Sequence, residues 1–373
     1  MKRSAFAAAA LATLAGAAHA QSSVTIYGVM DAALRFSNHQ GATGGERLAT
    51  LISSGLTPSR IGFDVSEDLG GGLRALANME HRLTLDNGMS EPGGQFWQQS
   101  WVGLHSNTLG RITLGRQANV LYDAAVGFAA FKTVGPFINS YKPEIAVAMG
   151  ARNDNMAKYA LTVGGLAIEL EAAAGEGAAA TTTVGKALGG MARYATGPVT
   201  LGGGYLERED AAQLKAKGYV AGVAYQSGPL YLNASFIRNE FDDGFNSAVL
   251  LVGSGVENIV APNQPGLSPA VAAVRAKQRT VWTAGGTYAL APAFTLGAQY
   301  WNLSQDYHVA GTKEASGDFV AVLGDYALSR RTHLYGAIEH SRVENAELTN
   351  IPTGIANGED SRSAVMLGIR HNF

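Results

Sequence analysis

The chain has 373 residues, no Cys, 47 Gly, 46% hydrophobic and 16% charged residues, and a formal net charge of −2. The absence of Cys excludes disulfides, thiolate metal sites and Cys nucleophiles. Low charge together with abundant Gly argues against a disordered chain and against a nucleic-acid partner. A chain of this length can hold either two ordinary domains or one large barrel.

Residues 1–20 have the pattern of a secretory signal peptide. Lys2 and Arg3 precede an apolar run over residues 5–18, and a small-x-small cleavage site ends at Ala20. The apolar run is short for a membrane-spanning helix, and no later run approaches the length that such a helix needs. We therefore expect an exported protein that inserts into a membrane only as a β-barrel.

The first predicted strand begins near Val24 and alternates apolar with polar residues, with Asp31 and Arg35 on its polar face. A two-faced run of roughly ten or more residues has the length of a tilted membrane strand. Residues 37–58 follow and are rich in Gly, Ser and Thr. This composition predicts an external loop.

A hairpin is predicted over residues 59–86, with a tight turn over residues 67–72 that ends in three Gly. Side chains alternate between the two faces of a strand, so one face of the hairpin is mostly apolar and the other carries the charges. The charged residues of that second face are Arg60, Asp64, Arg74, Glu80 and Arg82. A soluble sandwich would turn this face to bulk water, whereas a membrane barrel would turn it to a water-filled lumen.

Two further strands are predicted near residues 95–105 and 111–116. The stretch that follows them differs in composition and in its hydrophobic pattern. Residues 117–152 lack sustained alternation and contain two Pro and scattered aromatic residues. A segment of this length without regular structure is usually functional or disordered, and its aromatic residues favour packing.

The remainder of the chain returns to alternating strands, joined in turn by tight turns and by longer polar loops. This arrangement is typical of outer-membrane barrels, and the predicted strands number about sixteen, an even number. The last strand ends on Phe373, an aromatic residue suited to a membrane interface. We therefore predict a single all-β domain over residues 21–373, a transmembrane antiparallel β-barrel.

Six groups of short motifs, spread over nearly the whole mature chain, resemble those of the Gram-negative general porins, in the beta-proteobacterial branch of trimeric porins. In chain order they are Ser23-Val24-Thr25-Ile26-Tyr27-Gly28 with Asp31, Ser59-Arg60-Ile61-Gly62-Phe63 with Glu67-Asp68-Leu69-Gly70, Trp101-Val102-Gly103-Leu104, Leu114-Gly115-Arg116-Gln117, Tyr326-Ala327-Leu328-Ser329 with Arg331-Thr332, and Gly368-Ile369-Arg370-His371-Asn372-Phe373. Each motif alone is weakly specific, but the ordered set is strong.

The resemblance implies a homotrimer of sixteen-stranded barrels in the outer membrane of a Gram-negative bacterium, among its lipid and lipopolysaccharide. It implies passive diffusion of small hydrophilic solutes and ions, with no cofactor and no catalysis. It also implies that the third external loop, here residues 117–152, folds into the lumen as a constriction. Phe373 resembles the family's signal to the outer-membrane assembly machinery.

The selectivity of such a pore depends on its radius and on the charges at its constriction. The family's basic cluster opposite the third loop matches Arg60 and Arg74 best and Arg82 next, with Arg35 on the same lumen face and Arg152 at the end of the loop. Arg116 shares its parity with outward residues, so it would need a β-bulge to face the lumen. The loop itself is nearly balanced in charge, with Asp123, Glu144 and Asp154 against Lys132, Lys142 and Arg152.

A basic wall opposite a nearly neutral loop predicts a mild anion preference, although Asp31, Asp64 and Glu80 could neutralise much of the basic field. Three other functions remain open at this point: an outer-membrane barrel enzyme, a soluble exported binding protein, and a surface receptor or adhesin. The eight His are scattered and no nucleophile–base cluster or metal motif can be named. We therefore expect neither an enzyme nor a metal site.

Overall fold

The computed structural model describes residues 22–41, 43–90, 96–132, 149–175, 186–247, 261–262, 275–348 and 358–373. The predicted signal peptide, residues 1–20, lies outside the described residues. Among the described residues β-strands predominate, because the sequence alternates between apolar and polar residues over long runs.

The strands are β1 (Ser22–Gln40), β2 (Glu46–Ser53), β3 (Arg60–Gly70), β4 (Leu73–Arg82), β5 (Trp97–Ser106), β6 (Gly110–Ala118), β7 (Arg152–Val163), β8 (Leu166–Ala173), β9 (Ala187–Thr196), β10 (Val199–Glu209), β11 (Lys215–Ser227), β12 (Leu230–Phe241), β13 (Ala261–Pro262), β14 (Ala276–Ala291), β15 (Phe294–Tyr307), β16 (Ala315–Ala327), β17 (Thr332–Glu344), β18 (Ala346–Glu347) and β19 (Ser361–Asn372). A helix, α1 (Val120–Gly127), follows β6. Except for β13 and β18, which pair with each other, the strands form one antiparallel sheet.

The large sheet closes on itself through β1 and β19, which pair from Val29 opposite Asn372 to Ser37 opposite Ala364. The other edge of β1 pairs with β3 in its first half and with β2 in its second half. β2 and β3 are therefore two parts of one barrel strand. In the described chain the sheet is a closed antiparallel barrel of sixteen strands, which confirms the predicted fold.

The predicted external loop over residues 37–58 is wrong for much of its length. β1 continues to Gln40 and β2 begins at Glu46, so only residues 41–45 join them. The alternation in β2 is hard to recognise because apolar residues lie on both of its faces. Leu51 is 52% exposed on the outside, whereas its neighbour Ile52 packs against the interior.

The two faces of the barrel differ in polarity. On β19, Val365, Leu367 and Ile369 are exposed on the outside, while Met366 and Arg370 are buried on the inside. The same division runs through the other strands, with exposed aliphatic residues outside and most of the charged residues inside. An apolar outer face around a polar interior is the arrangement of a transmembrane barrel.

The helix α1 is a short element whose first turn is capped by Asn119. The Asn119 side chain accepts a hydrogen bond from the backbone N–H of Tyr122 at 2.7 Å, which is the usual role of an N-cap side chain. Within the described parts of the chain, no helix is long and apolar enough to cross a membrane.

Candidate functional site

A cluster of charges lies on the inner face of β3 and β4. Arg60 is directly opposite Arg82 in the register, and Glu80 is opposite Gly62. The Glu80 carboxylate is 3.4 Å from Arg60 Nε and 3.8 Å from Arg82 Nε. Two guanidinium groups therefore share one carboxylate, which leaves a net positive charge.

Tyrosines and a third arginine surround this cluster. Tyr27 donates a hydrogen bond from its hydroxyl to Glu80 Oε2 at 3.3 Å. Arg152, at the start of β7, lies within electrostatic reach of Arg82 and Glu80. Tyr122 of α1 lies near the same arginines, and burial raises the pKa of its phenol, so it stays neutral at ordinary pH. We call Arg60, Glu80, Arg82 and Arg152 the basic cluster.

Arg116 lies at a β-bulge, the feature that it would need in order to face the lumen. The register of β6 against β7 shifts between Gly115 and Gln117, and Gly115 has a φ of +126°. Arg116 pairs with Asp154 at 2.5 Å and lies within electrostatic reach of Arg152. An acidic partner thus offsets its charge.

Two of the predicted constriction residues lie away from the basic cluster. Arg74 is opposite Asp68, eight residues along β4 from Arg82 and about 27 Å away along the strand. Arg35 is six residues along β1 from Val29, the partner of Arg60, a distance of about 20 Å. Arg35 is buried and pairs with Glu339 at 2.9 Å. Alternation predicts which face of the strand each residue lies on, but it gives no information on the residue's position along the barrel axis.

The wall strand formed by β2 and β3 is interrupted by an inward turn at residues 54–59. Ser53 is opposite Ala32 and Arg60 is opposite Val29, so six residues stand where β1 advances by only two. The surplus residues fold toward the interior, and most of them are buried.

The inward turn is held by the carboxylate of Asp31. Three consecutive backbone N–H groups donate to it, from Gly55 at 3.0 Å, Leu56 at 3.0 Å and Thr57 at 2.8 Å. The Tyr335 hydroxyl donates a fourth hydrogen bond to Asp31 at 2.5 Å. Charge-assisted hydrogen bonds of this kind are about twice as strong as neutral ones.

The first turn of α1 is attached to the inner wall by charged groups. Glu171 accepts a hydrogen bond from the Val120 N–H at 2.6 Å, so a carboxylate meets the positive end of the helix. Lys158 forms an ion pair with Asp123 of α1 and a second one with Glu169 at 2.8 Å. Asp123, a predicted constriction residue, is thus neutralised by the wall.

The apolar side chains of α1 and of the residues after it occupy gaps left by inward-facing glycines. A Cβ atom at any of these glycines would press against the side chain that fills the gap. The pairs are Gly204 with Ala124, Gly218 with Leu121, Gly222 with Phe128, and Gly297 with Phe131. Because the glycines belong to β10, β11 and β15, the segment contacts a wide arc of the inner wall.

Two further contacts extend this arc. The Tyr231 hydroxyl on β12 donates to the Ala129 carbonyl at 3.2 Å, and the Phe131 ring lies 6.4 Å from the Trp301 ring on β15.

Lys132 donates to the Gly127 carbonyl at 3.0 Å. Partial burial and the nearby Arg193 lower the pKa of Lys132. Residues 133–148, which include the predicted residue Glu144, lie outside the described residues.

Phe373 lies beside the first strand. Its backbone exchanges two hydrogen bonds of 3.1 Å with Gly28, and its ring covers that glycine. Its role as an assembly signal stays a prediction. The described residues contain no group of His, Asp and Glu suited to a metal ion.

Several structural anchors of this interior were absent from the sequence predictions. Alternation predicts the lumen face for Asp31, but it cannot predict the hydrogen bonds of Asp31 with Thr57 and Tyr335, because these partners are distant in sequence. Lys158 and Glu171 looked like ordinary strand residues. Only their inward parity on β7 and β8 marked them, and many inward residues share that parity.

A family model for Gram-negative porins matches residues 7–346. With the closed barrel and its polar interior, this match shows that the chain belongs to the Gram-negative porin family. Proteins of this family reside in the outer membrane, and so does this one.

Two curated relatives are similar in sequence. An outer membrane porin protein of Bordetella pertussis is 32% identical over 176 residues, which is 43% of this chain and 44% of that protein. Outer membrane porin protein 32 of Delftia acidovorans is 32% identical over 244 residues, 63% of this chain and 66% of that protein. The chain thus spans 44% and 66% of the length of these two relatives.

Solved structures share the fold at lower identity. An anion-selective porin from Comamonas acidovorans has a TM-score of 0.71 and 21% identity, and the match covers 95% of this chain and all of that one. OmpT of Vibrio cholerae, in a trimer form, has a TM-score of 0.66 and 15% identity, and the match covers 94% of this chain and 99% of that one. At these identities the likeness concerns the fold alone.

Proposed function

We propose that the protein is a general diffusion porin, a passive channel for small hydrophilic solutes and ions rather than an enzyme. The observation that carries this proposal is the closed barrel of sixteen strands with an apolar exterior and a charged interior. Such a barrel encloses a water-filled passage across the membrane. Its outer partners are membrane lipid and lipopolysaccharide.

The passage is narrowed by residues 117–132, the described first part of the predicted constriction loop. This part of the proposal is supported by the contacts of α1 and of Phe128 and Phe131 with inward-facing glycines. The inward turn at residues 54–59 narrows the passage from the β1 side. The basic cluster lies next to the first of these elements, since Tyr122 of α1 is close to Arg82 and Arg152.

The pore has a mild preference for anions. Three arginines of the basic cluster face a single carboxylate, Glu80, among the described residues of that cluster. Fixed charges next to a low-dielectric wall raise the local concentration of the opposite ion. The anion-selective porin from Comamonas acidovorans has the same fold.

The assembly is a homotrimer, and the sector β17–β19–β1–β4 is its contact face. Tyr and Trp side chains concentrate where a barrel meets the lipid headgroups. In the described strands the outward Tyr and Trp residues lie on β5 and on β7 to β16, whereas β17, β19 and β1 to β4 present mainly aliphatic side chains. The outward residues of the first group are Trp97, Tyr159, Tyr194, Tyr205, Tyr219, Tyr225, Trp282, Tyr288, Tyr300 and Tyr326.

Planar-bilayer recording of the refolded full-length protein tests the channel. We expect stepwise conductance increments that occur in threes, and a reversal potential in a KCl gradient that indicates mild chloride preference. Refolded barrels that produce no conductance steps would contradict the porin assignment. A clear potassium preference would contradict only the anion preference.

The contact face is tested by labelling single Cys residues, because the natural chain contains none. A fluorophore at Ile338→Cys lies in the proposed contact face, and one at Val223→Cys lies on β11 in the proposed lipid-facing sector. A lipid-soluble quencher should reach the Val223 label more readily. Equal quenching at both sites would contradict the assigned face.

A further inference from the structure

A row of three basic or titratable side chains crosses the inner face of the barrel beside the short turns. In the register, His105 of β5 lies opposite Arg74 of β4 on one side and opposite Arg111 of β6 on the other. Directly opposed residues of antiparallel strands have Cβ atoms about 5 Å apart, so the row spans roughly 10 Å. We call Arg74, His105 and Arg111 the turn-side row.

All three side chains point inward. The alternate residues Val102 and Leu104 of β5 are 58% and 44% exposed on the outside. His105 therefore lies on the inner face, and so do its register partners Arg74 and Arg111. The row faces the passage at the mouth formed by the turns at residues 70–72 and 107–109.

The Arg111 guanidinium is held in place by an aromatic ring. It lies 5.9 Å from the centroid of the Trp101 ring, within the range of a cation–π contact. The position between them in the inward column of β5 is Gly103, which has no side chain to separate them. A guanidinium held in this way loses little conformational entropy when an anion binds.

The row differs from the deeper arginines in its lack of acidic partners. Within the described residues, Arg60 and Arg82 share Glu80, whereas no ion pair is present at Arg74 or Arg111. In the register, the carboxylate opposite Arg74 is that of Asp68, and it accepts a hydrogen bond from the Gly70 N–H at 2.8 Å.

The other inward groups around the row leave its charge uncompensated. On β3, Asp64 lies two inward positions away from Asp68 and is exposed. On β7, the neighbour of Arg111 is Ala160, which is uncharged. On β8, Glu169 lies beyond Ala160 and is already paired with Lys158.

We propose that the turn-side row is a binding site for small oxyanions, carboxylates or phosphates, at the turn-side mouth of the pore. Guanidinium groups present donors in a fork that matches carboxylate and phosphate oxygens. This inference rests on the proposed function, because it assigns part of the anion preference to the row in addition to the basic cluster. It also predicts sidedness, since only one mouth carries the row.

The test compares the parent protein with Arg74→Ser/Arg111→Ser in single-channel recordings. The probe is inorganic phosphate, added first on one side of the bilayer and then on the other. We expect phosphate to reduce the parent's chloride current more strongly from one side, and the double variant to lose this difference. Its chloride-to-potassium permeability ratio should also fall by about twofold.

The matched control is Lys186→Ser/Lys217→Ser, which also removes two positive charges. Lys186 precedes β9 with 75% of its side chain exposed, and Lys217 lies on the outward face of β11, so the control should behave as the parent does. If the double variant does not fold, Asp68→Asn is the alternative, because it removes the carboxylate opposite Arg74 and should strengthen the phosphate block.

The outcomes separate this inference from the proposed function. A parent channel with equal phosphate block from both sides, or a double variant with unchanged block and selectivity, would overturn the turn-side site while leaving the porin assignment intact. Equal effects of the control and the double variant would also overturn it. A parent that forms no channels would instead contradict the proposed function.

Discussion

Two segments depart from the barrel wall toward its interior, and different forces hold them there. The inward turn at residues 54–59 depends on polar contacts that converge on one carboxylate, that of Asp31. The helix α1 and the residues after it are held by apolar contacts spread over several strands, with ion pairs only at the first turn. Ser54 and Ser59 also bond to the Asp31 backbone, so the contacts of the inward turn centre on one residue, whereas those of α1 are spread over many.

This difference predicts different responses to substitution. Removal of a buried acceptor leaves all of its donors unsatisfied at once, and each unsatisfied donor costs about 1–3 kcal/mol. Loss of one packing contact in a distributed interface costs only that contact and its local rearrangement. A single substitution at Asp31 should therefore destabilise the inward turn strongly, whereas α1 should tolerate single substitutions better.

Asp31→Ala should have the largest effect of the variants considered. Three backbone N–H groups and the Tyr335 hydroxyl would lose their acceptor. We expect the free energy of unfolding to fall by about 4 kcal/mol. Urea unfolding of the refolded barrel, followed by Trp fluorescence, measures this change.

Asp64→Ala is the control for this prediction. Asp64 is an inward carboxylate on β3, but it is exposed, so its loss should change the free energy of unfolding by less than about 0.5 kcal/mol. Tyr335→Phe removes one of the four donors and should fall between the two. If Asp31→Ala were no worse than Asp64→Ala, the Asp31 carboxylate would not be the anchor of the turn.

Lys158→Met should have the next largest effect, because it acts on the polar end of α1. It would leave Asp123 and Glu169 without their shared cation, at a cost of about 3 kcal/mol. Two uncompensated carboxylates beside α1 should loosen it, so we also expect noisier single-channel current. Lys186→Met, at a lysine whose side chain is 75% exposed, should change neither property.

Alternation in the sequence was sufficient to predict the barrel, its strand number and the inward face of the charged residues. It could not give heights along the pore, because height depends on register and on the position of each turn. Arg74 and Arg82 have the same parity on β4 and yet lie at opposite ends of that strand. Only Arg82 joins the basic cluster.

The inward turn could not be predicted for a related reason. Residues 54–59 have the polar, Gly-containing composition of a loop, and composition does not distinguish a loop outside the barrel from one folded inside it. The distinction depends on Asp31 and Tyr335, and Tyr335 is separated from Asp31 by most of the chain. By contrast, the loss of alternation in residues 117–132 can be recognised from the local sequence alone.

Gly222→Ala tests the packing side of the comparison and should have a moderate effect. A Cβ atom at Gly222 would collide with the Phe128 ring and displace it. Overpacking of this kind costs about 2 kcal/mol. Gly324→Ala is the control, since a Cβ there has its nearest neighbour at 3.5 Å, an ordinary contact. If both variants unfold alike, α1 does not depend on the glycine gaps.

Glu80→Gln is the smallest change in side-chain shape and should act mainly on selectivity. The variant keeps a hydrogen-bonding side chain but removes the negative charge shared by Arg60 and Arg82. The chloride-to-potassium permeability ratio, from reversal potentials in a KCl gradient, should rise by about twofold. Glu344→Gln, which changes an outward carboxylate with 65% of its side chain exposed, should leave the ratio unchanged.

Arg60→Gln removes the positive charge of the same ion pair and should have the opposite effect on selectivity. That variant leaves Arg82 with Glu80 at 3.8 Å as a nearly neutral ion pair, so the permeability ratio should fall, whereas Glu80→Gln should raise it. Opposite shifts from two neighbours in one ion pair can arise only if their charges act on the permeating ions. Unchanged ratios in both variants would mean that the basic cluster is outside the narrow part of the pore, and the turn-side row would then be the main source of any anion preference.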